Sequence, residues 1–240
     1  MGLSTSKFMR LRGDNLETAV KTFNKEKKYV IFCSNIHEGP PEYFEEIIQT
    51  LSPCDCVLYE RIGKDVDSLP ESLLPYCVLF DIWSTLLFQP VNHNNFIFSN
   101  QAREAQERKN WEWCDIWFSQ VFEELRTRLP NQEDIEKYLI YLYNNHVDGK
   151  FYYPMDNVRY LTTIQTFFQE DLIGQVLINF RNNHLTKCIQ YKLIEGVQQL
   201  GIFYGASHGD CIEKYLVEEA GFIVTSEQWF KNRGPIDENE

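Results

Sequence analysis

Two histidines follow apolar segments that are typical of buried strands, and each is followed by a helix-like segment. Residues 31–38 read IFCSNIHE and residues 202–209 read IFYGASHG, so His37 and His208 occupy equivalent places in two similar corners. A third apolar segment, VLYE, ends in Glu60. Because the carboxyl ends of parallel strands meet at one edge of a sheet, we expect these three side chains to converge there.

Two imidazoles and a carboxylate support a limited range of chemistry. They can bind a divalent ion, Mn, Co or Zn, which leaves coordination positions for water and makes hydroxide available near neutral pH. Without a metal, a histidine oriented by a glutamate can act as a general base on water. Both routes lead to hydrolysis. The structural alternative is that each histidine only forms hydrogen bonds in a packed turn.

The segments that would position these residues alternate between strand and helix patterns. KYVIFCS and CVLYE have the apolar density of buried strands, and PEYFEEIIQTL between them places four apolar residues on one helix face: Phe44, Ile47, Ile48 and Leu51. Such a βαβ unit requires parallel pairing with a right-handed crossover. The sequence therefore predicts an α/β fold with a central, mainly parallel sheet flanked by helices.

The remaining segments divide into a helical middle and a C-terminal return to the sheet. We predict a single domain over residues 1–240 with a large, mainly helical insertion at about 117–183. NFIFSNQ is expected to be a third strand, and GIFYGAS and FIVTSEQWF are expected to be later strands. Near the start, DNLETAVKTFNKEKK is predicted to be a helix that Asp14 or Asn15 would cap.

Composition and termini limit the expected location and partners. The net charge of −12 argues against a nucleic-acid partner, because contact with a phosphate backbone needs clustered Lys and Arg. No apolar stretch is long enough to span a bilayer, no secretory signal opens the chain, and the seven cysteines are scattered, so we expect reduced thiols and a cytoplasmic location. MGLSTSK fits an N-myristoylation pattern, and membrane contact is expected only if Gly2 is acylated.

The order of the motifs resembles that of the TraB, TIKI and ChaN-like superfamily, to which erythromycin esterases are related. The resemblance is carried, between Lys28 and Trp229, by SNIH, VLYE, NFIFSNQ, NWEWCD, RNNHLTK and IFYGASHG. It implies a hydrolase, metal-dependent and protease-like or esterase-like, that acts on a peptide or a small molecule. The alternative that it implies is a non-catalytic protein that binds haem or another small molecule through the same histidines.

The resemblance also implies roles for further residues. Asp115, in NWEWCD, would be an additional ligand or orienting group, and the structural alternative is a cap for the helix that follows. Arg181 would clamp a carboxylate or an oxyanion, unless it forms a salt bridge on a solvated helix face. Substrate contacts are implied for four polar residues of the matching motifs: Ser34, Gln101, Arg181 and Ser207. The other histidines are interpreted as surface or structural residues: His93, His146 and His184.

Overall fold

In a computed structural model, the protein is described over residues 7–13, 15–36, 38–87, 97–98, 108–147 and 171–233. The chain divides into two compact units. The first comprises Met1–Arg61, His93–Asp115 and Asn182–Glu240, and the second comprises Ile62–Asn92 and Ile116–Arg181. A single domain with an insertion at about 117–183 stays a prediction.

The first unit is built on a seven-stranded sheet with the strand order β1-β2-β3-β8-β5-β7, in which β9 also pairs with β2. Its strands are β1 (Met9–Arg12), β2 (Asn15–Lys25), β3 (Lys28–Asn35), β5 (Cys56–Tyr59), β7 (Trp111–Trp113), β8 (Gln199–Gly205) and β9 (Ile223–Arg233). The run β3-β8-β5-β7 is parallel throughout, whereas β1, β2 and β9 add antiparallel pairings at one side. The predicted α/β class, with a mostly parallel central sheet flanked by helices, is confirmed.

Helix α1 (Pro41–Leu51) connects β3 to β5 and begins with a proline, which the first turn of a helix tolerates. Its buried face packs on the sheet through Tyr43, Phe44, Ile47 and Leu51. The middle of β8 lies close beneath this helix at Gly201, where an added Cβ would come within 2.9 Å of the Leu51 side chain. The glycine therefore permits the close approach of helix and strand.

The segment predicted to be an N-terminal helix is a strand, β2, so that prediction is wrong. Glu17 and Lys21 are spaced as on the polar face of a helix, but in the strand both are largely buried and paired. Glu17 bonds Arg10 at 2.7 Å, and Lys21 bonds Glu213 at 2.6 Å. The local pattern thus favoured a helix, but Glu17 is paired with the neighbouring strand β1 and Lys21 with a residue 192 positions along the chain.

The segment NFIFSNQ contributes a short strand, β6 (Ile97–Phe98), but not to the central sheet. It pairs antiparallel with β4 (Glu38–Gly39) in a separate two-stranded sheet. The position beside β5 is taken instead by β7, which pairs in parallel through Val57↔Trp111.

The second unit is helical. It contains α2 (Leu74–Leu87), α3 (Phe118–Arg128), α4 (Gln132–Val147) and α5 (Leu172–Gln175), which continues into a π-helical turn at Val176–Phe180. Two further helices belong mainly to the first unit: α6 (Arg181–Glu195) and α7 (Gly209–Lys214). Within the described part of the chain, no helix is both long and apolar enough to cross a membrane.

Candidate functional site

Glu60 and His208 lie together at the carboxyl edge of the parallel strands. Glu60 directly follows β5, and His208 ends the 3-10 turn Ala206–His208 that directly follows β8. Since β5 and β8 pair in parallel, with Tyr59 opposite Phe203, both residues leave the sheet at the same edge. Glu60 Oε1 lies 3.6 Å from His208 Nε2, and both side chains are buried.

Hydrogen bonds fix the orientation of both side chains. The backbone N–H of Gly205 donates to Glu60 Oε2 at 2.5 Å. Nδ1 of His208 lies 2.7 Å from Oδ1 of Asn182, a buried residue of α6. With the Asn182 amide assigned in this orientation, Nδ1 carries the proton, and Nε2 is the ring atom that faces the glutamate. The pair therefore places a ring nitrogen and a carboxylate oxygen opposite each other across a short gap.

Asn35 ends β3 at the same edge, opposite Gly205 in the parallel register. Its side chain is 1% exposed, and neither its amide nitrogen nor its amide oxygen has a hydrogen-bond partner among the described residues. A buried amide without partners costs about 1–3 kcal/mol, so such a group is uncommon in a folded protein. Sequence reasoning did not single out Asn35, although it stands two positions before His37.

The structure describes some, but not all, of the other predicted residues. The Ser34 hydroxyl donates to the backbone carbonyls of Ala19, at 2.6 Å, and Phe8, at 3.0 Å, so it holds the antiparallel side of the sheet together. Ser207 is half-buried in the turn that contains His208. Arg181 is buried and is the first residue of α6. Two predicted residues lie outside the described residues: His37 and Gln101.

Asp115 is buried and does not cap α3, the helix that follows it. The N-cap position of α3 is Trp117, whose N–H donates to Gln120 Oε1. The first-turn N–H of Ser119 donates to the carboxylate of Asp65 instead. The capping alternative for Asp115 is therefore wrong, and Asp65 takes that role.

A second cluster of reactive side chains lies where β7 ends beside α6. It consists of Cys114, which directly follows β7, and of His184 and Cys188, which are one helical turn apart on α6. One ligand atom from each residue lies within 4.8 Å of the others, and Nε2 of His184 is 3.5 Å from Sγ of Cys188. This partly buried group, which we call the Cys-His-Cys group, could hold a metal ion.

The members of the Cys-His-Cys group shift one another's protonation. The hydrogen bond with Cys114, aided by His184, lowers the pKa of Cys188 to about 5 although burial opposes the change. The same hydrogen bond, together with burial, raises the pKa of Cys114. Contact with Cys188 raises the pKa of His184 despite burial, and the Asp115 carboxylate adds to this rise. The group therefore favours a thiolate at Cys188 that accepts hydrogen bonds from its two neighbours.

Tyr204 of β8 lies between the two clusters. Its ring packs edge-on against the His208 ring, with centroids 5.2 Å apart, and its hydroxyl donates to the backbone carbonyl of Cys114. The Cys-His-Cys group is not predicted by the sequence, from which His184 is interpreted as a surface or structural residue. The local signal was the spacing of His and Cys in HLTKC, which puts both on one helix face, but nothing local indicates that Cys114 approaches that face.

Comparison of the chain with models of known protein families, with curated proteins and with solved structures found no match. The resemblance to the TraB, TIKI and ChaN-like superfamily thus stays a prediction that rests on the motifs.

Proposed function

We propose that this protein is a hydrolase whose active site lies at the carboxyl edge of β3, β8 and β5. The observation that carries the proposal is the buried pair of Glu60 Oε1 and His208 Nε2, 3.6 Å apart. A separation of this size is longer than a direct N–H···O hydrogen bond, whose usual length is about 2.7–3.2 Å. It suits two groups that act on one shared atom.

In the metal-free form of the proposal, His208 is the general base. Asn182 holds the proton on Nδ1, so Nε2 is the atom that accepts a proton from water. Glu60 stabilises the imidazolium that forms, and the bond from Gly205 prevents its carboxylate from rotating away. Gly205 thus orients Glu60 and Asn182 orients His208, and the other polar atom of each side chain is directed at the reaction.

In the metal-dependent form, His37, Glu60 and His208 would hold a divalent ion such as Mn²⁺, Co²⁺ or Zn²⁺. Ligand atoms that share such an ion lie roughly 3.0–3.4 Å apart, so the 3.6 Å spacing of Glu60 and His208 needs little adjustment. When bound, the ion would lower the pKa of its water and supply hydroxide near neutral pH. The role of His37 rests on its place two residues beyond the end of β3.

The substrate is proposed to be a small molecule or a peptide with an ester, lactone or amide bond. Asn35 supports a polar ligand at this edge, since such a ligand would supply the hydrogen bonds that its amide lacks among the described residues. Asp115 is proposed as an orienting group, and substrate contacts of Arg181, Gln101 and Ser207 stay predictions. A cytoplasmic location is part of the proposal and is supported by seven free thiols.

Haem binding through His208 is the less supported alternative. One ring nitrogen bonds Asn182 and the other faces Glu60, and the histidine is 1% exposed. An iron ion could reach Nε2 only after displacing the glutamate. Absence of a haem absorption band from the protein purified after expression with added haem precursor would agree with the hydrolase proposal.

The test is hydrolysis of a panel of chromogenic esters, lactones and peptides by the reduced protein. The assay is run without added metal, after chelation, and after addition of Mn²⁺, Co²⁺ or Zn²⁺. We expect turnover of at least one class, with a metal requirement distinguishing the two forms. If no class is cleaved, or if cleavage is unchanged in His208→Ala, the proposal is wrong.

A further inference from the structure

We propose that the Cys-His-Cys group is a zinc site, separate from Glu60 and His208, that fastens the end of the edge strand β7 to helix α6. The three ligands would be the thiolates of Cys114 and Cys188 and the imidazole of His184. The site would not depend on the hydrolase proposal, because it shares no ligand with it.

The backbone that carries each ligand is held by regular structure. The N–H of Cys114 donates to the carbonyl of Tyr59 in β5, and its own carbonyl accepts the hydroxyl of Tyr204 in β8. His184 and Cys188 project from the same face of α6, a helix that runs for 15 residues. Ligands on a strand end and a helix are positioned with less freedom than ligands on a loop.

The distance between His184 and Cys188 fits a tetrahedral zinc ion. With Zn–S bonds of about 2.3 Å and Zn–N bonds of about 2.0–2.1 Å, sulfur and nitrogen ligands lie roughly 3.6 Å apart. The observed separation of His184 Nε2 and Cys188 Sγ is 3.5 Å, and all three ligand atoms lie within 4.8 Å of one another. Small side-chain rotations would therefore bring the three atoms onto one ion.

The ligand types determine which metal is favoured. Two thiolates and an imidazole are soft and borderline ligands, which favour Zn²⁺ over Mg²⁺, Ca²⁺ or Mn²⁺. Two thiolates would balance the charge of one zinc ion. Three protein ligands leave the fourth tetrahedral position for water or a substrate group, and the partial exposure of His184 and Cys188 gives access to it.

A neighbouring ion pair strengthens the junction that the zinc would fasten. Lys192, one helical turn beyond Cys188 on α6, bonds Glu112 of β7 at 2.6 Å. The Asp115 carboxylate, next to Cys114, is near enough to act electrostatically on His184.

The test begins with the wild-type protein, so that it does not depend on a variant that folds. The reduced protein is titrated with Co²⁺ as a spectroscopic substitute and with Zn²⁺ in competition, and one ion per chain is expected with a thiolate-to-cobalt charge-transfer band. In parallel, alkylation is mapped by mass spectrometry with and without zinc. Zinc should protect Cys188 but not Cys77 and Cys211, which are half-buried to a similar degree, and Cys114 is buried and should react little in either condition.

Variants then assign the ligands. Cys114→Ser, Cys188→Ser and His184→Gln should reduce bound zinc from one ion per chain to less than about one-tenth. Cys77→Ser and Cys211→Ser are the matched controls and should retain one zinc, and so should His208→Ala, which removes the other site. Absence of the charge-transfer band, equal alkylation of Cys188 with and without zinc, or zinc that survives the three ligand variants would overturn the proposal. So would a Cys114–Cys188 disulfide that forms in the presence of mild reductant and excess zinc.

Discussion

Both units of the protein contain buried carboxylates, and Asp171 in the second unit and Glu60 in the first have different partners. In the second unit, Asp171 accepts hydrogen bonds from Trp83 Nε1 at 2.8 Å, from the Tyr138 hydroxyl at 2.5 Å and from the N–H of Gly174 at 2.9 Å. In the first unit, Glu60 accepts a bond from Gly205 through one oxygen and faces His208 at 3.6 Å through the other. Burial of a carboxylate alone therefore does not identify a functional site. The groups that contact the carboxylate distinguish a functional from a structural role.

The partners explain the difference in role. Those of Asp171 are neutral donors at bonding distance, so the carboxylate joins α2, α4 and the start of α5. Burial and this charge also raise the pKa of Tyr138, which keeps the phenol a donor. Glu60, by contrast, directs one of its oxygens at a titratable base that lies beyond direct hydrogen-bond length. One arrangement stabilises a fold, and the other is suited to handling a proton.

The largest expected effect is on hydrolysis. Glu60→Gln keeps the shape of the side chain and an acceptor for Gly205, but removes the charge that would stabilise an imidazolium at His208. Removal of a general acid or base contribution typically lowers rates about 10²–10⁴-fold. Steady-state kinetics with the most active substrate class measure the loss, and urea unfolding should show a stability change below about 1 kcal/mol.

Glu45→Gln, on the exposed face of α1, is the control for that variant. It should keep wild-type kinetics. A Glu60→Gln protein that is as active as Glu45→Gln would place Glu60 with Asp171 among the structural carboxylates.

The next effect is on stability. Asp171→Ala leaves the Gly174 N–H and the Tyr138 hydroxyl without this acceptor and removes the N-cap of α5, for an expected loss of about 3–4 kcal/mol. Urea denaturation followed by tryptophan fluorescence measures it. Hydrolysis per folded molecule should be unchanged, and a loss of less than about 1 kcal/mol would mean that the three bonds contribute little.

Asn35→Ala should have the smallest effect on stability, below about 1 kcal/mol, because it removes an amide that has no bonding partner among the described residues. If the amide contacts substrate, KM should rise about 10-fold, as expected for one lost hydrogen bond to a ligand. An unchanged KM combined with a large loss of stability would show that the amide serves the fold instead.

Much of the fold and one of the two clusters could be predicted because their signals are local. The apolar runs that form β3, β5 and β8 each end at a polar group, and parallel pairing then brings Glu60 and His208 together. The signals that were missed are not local. The local spacing of Lys21 favours a helix, whereas in the fold Lys21 lies on a strand and bonds Glu213, which is far along the chain.

The Cys-His-Cys group shows the same limit. HLTKC indicates a shared helix face, and WEWCD puts Cys114 at a strand end, but only the packing of α6 beside β7 joins them. The role of Asn182 was not predicted for another reason. In RNNHLTK the charged residue is its neighbour Arg181, but the side-chain amide of Asn182 is the group that bonds His208.

The most direct test of the Glu60–His208 site is a double-mutant cycle on hydrolysis, with Glu60→Gln, His208→Asn and the double variant. Groups that act on one water are strongly non-additive, so the double variant should be about as slow as the slower single variant. If the two losses instead multiply, or if all three proteins hydrolyse substrate at the wild-type rate, Glu60 and His208 do not work together and the proposed active site is wrong.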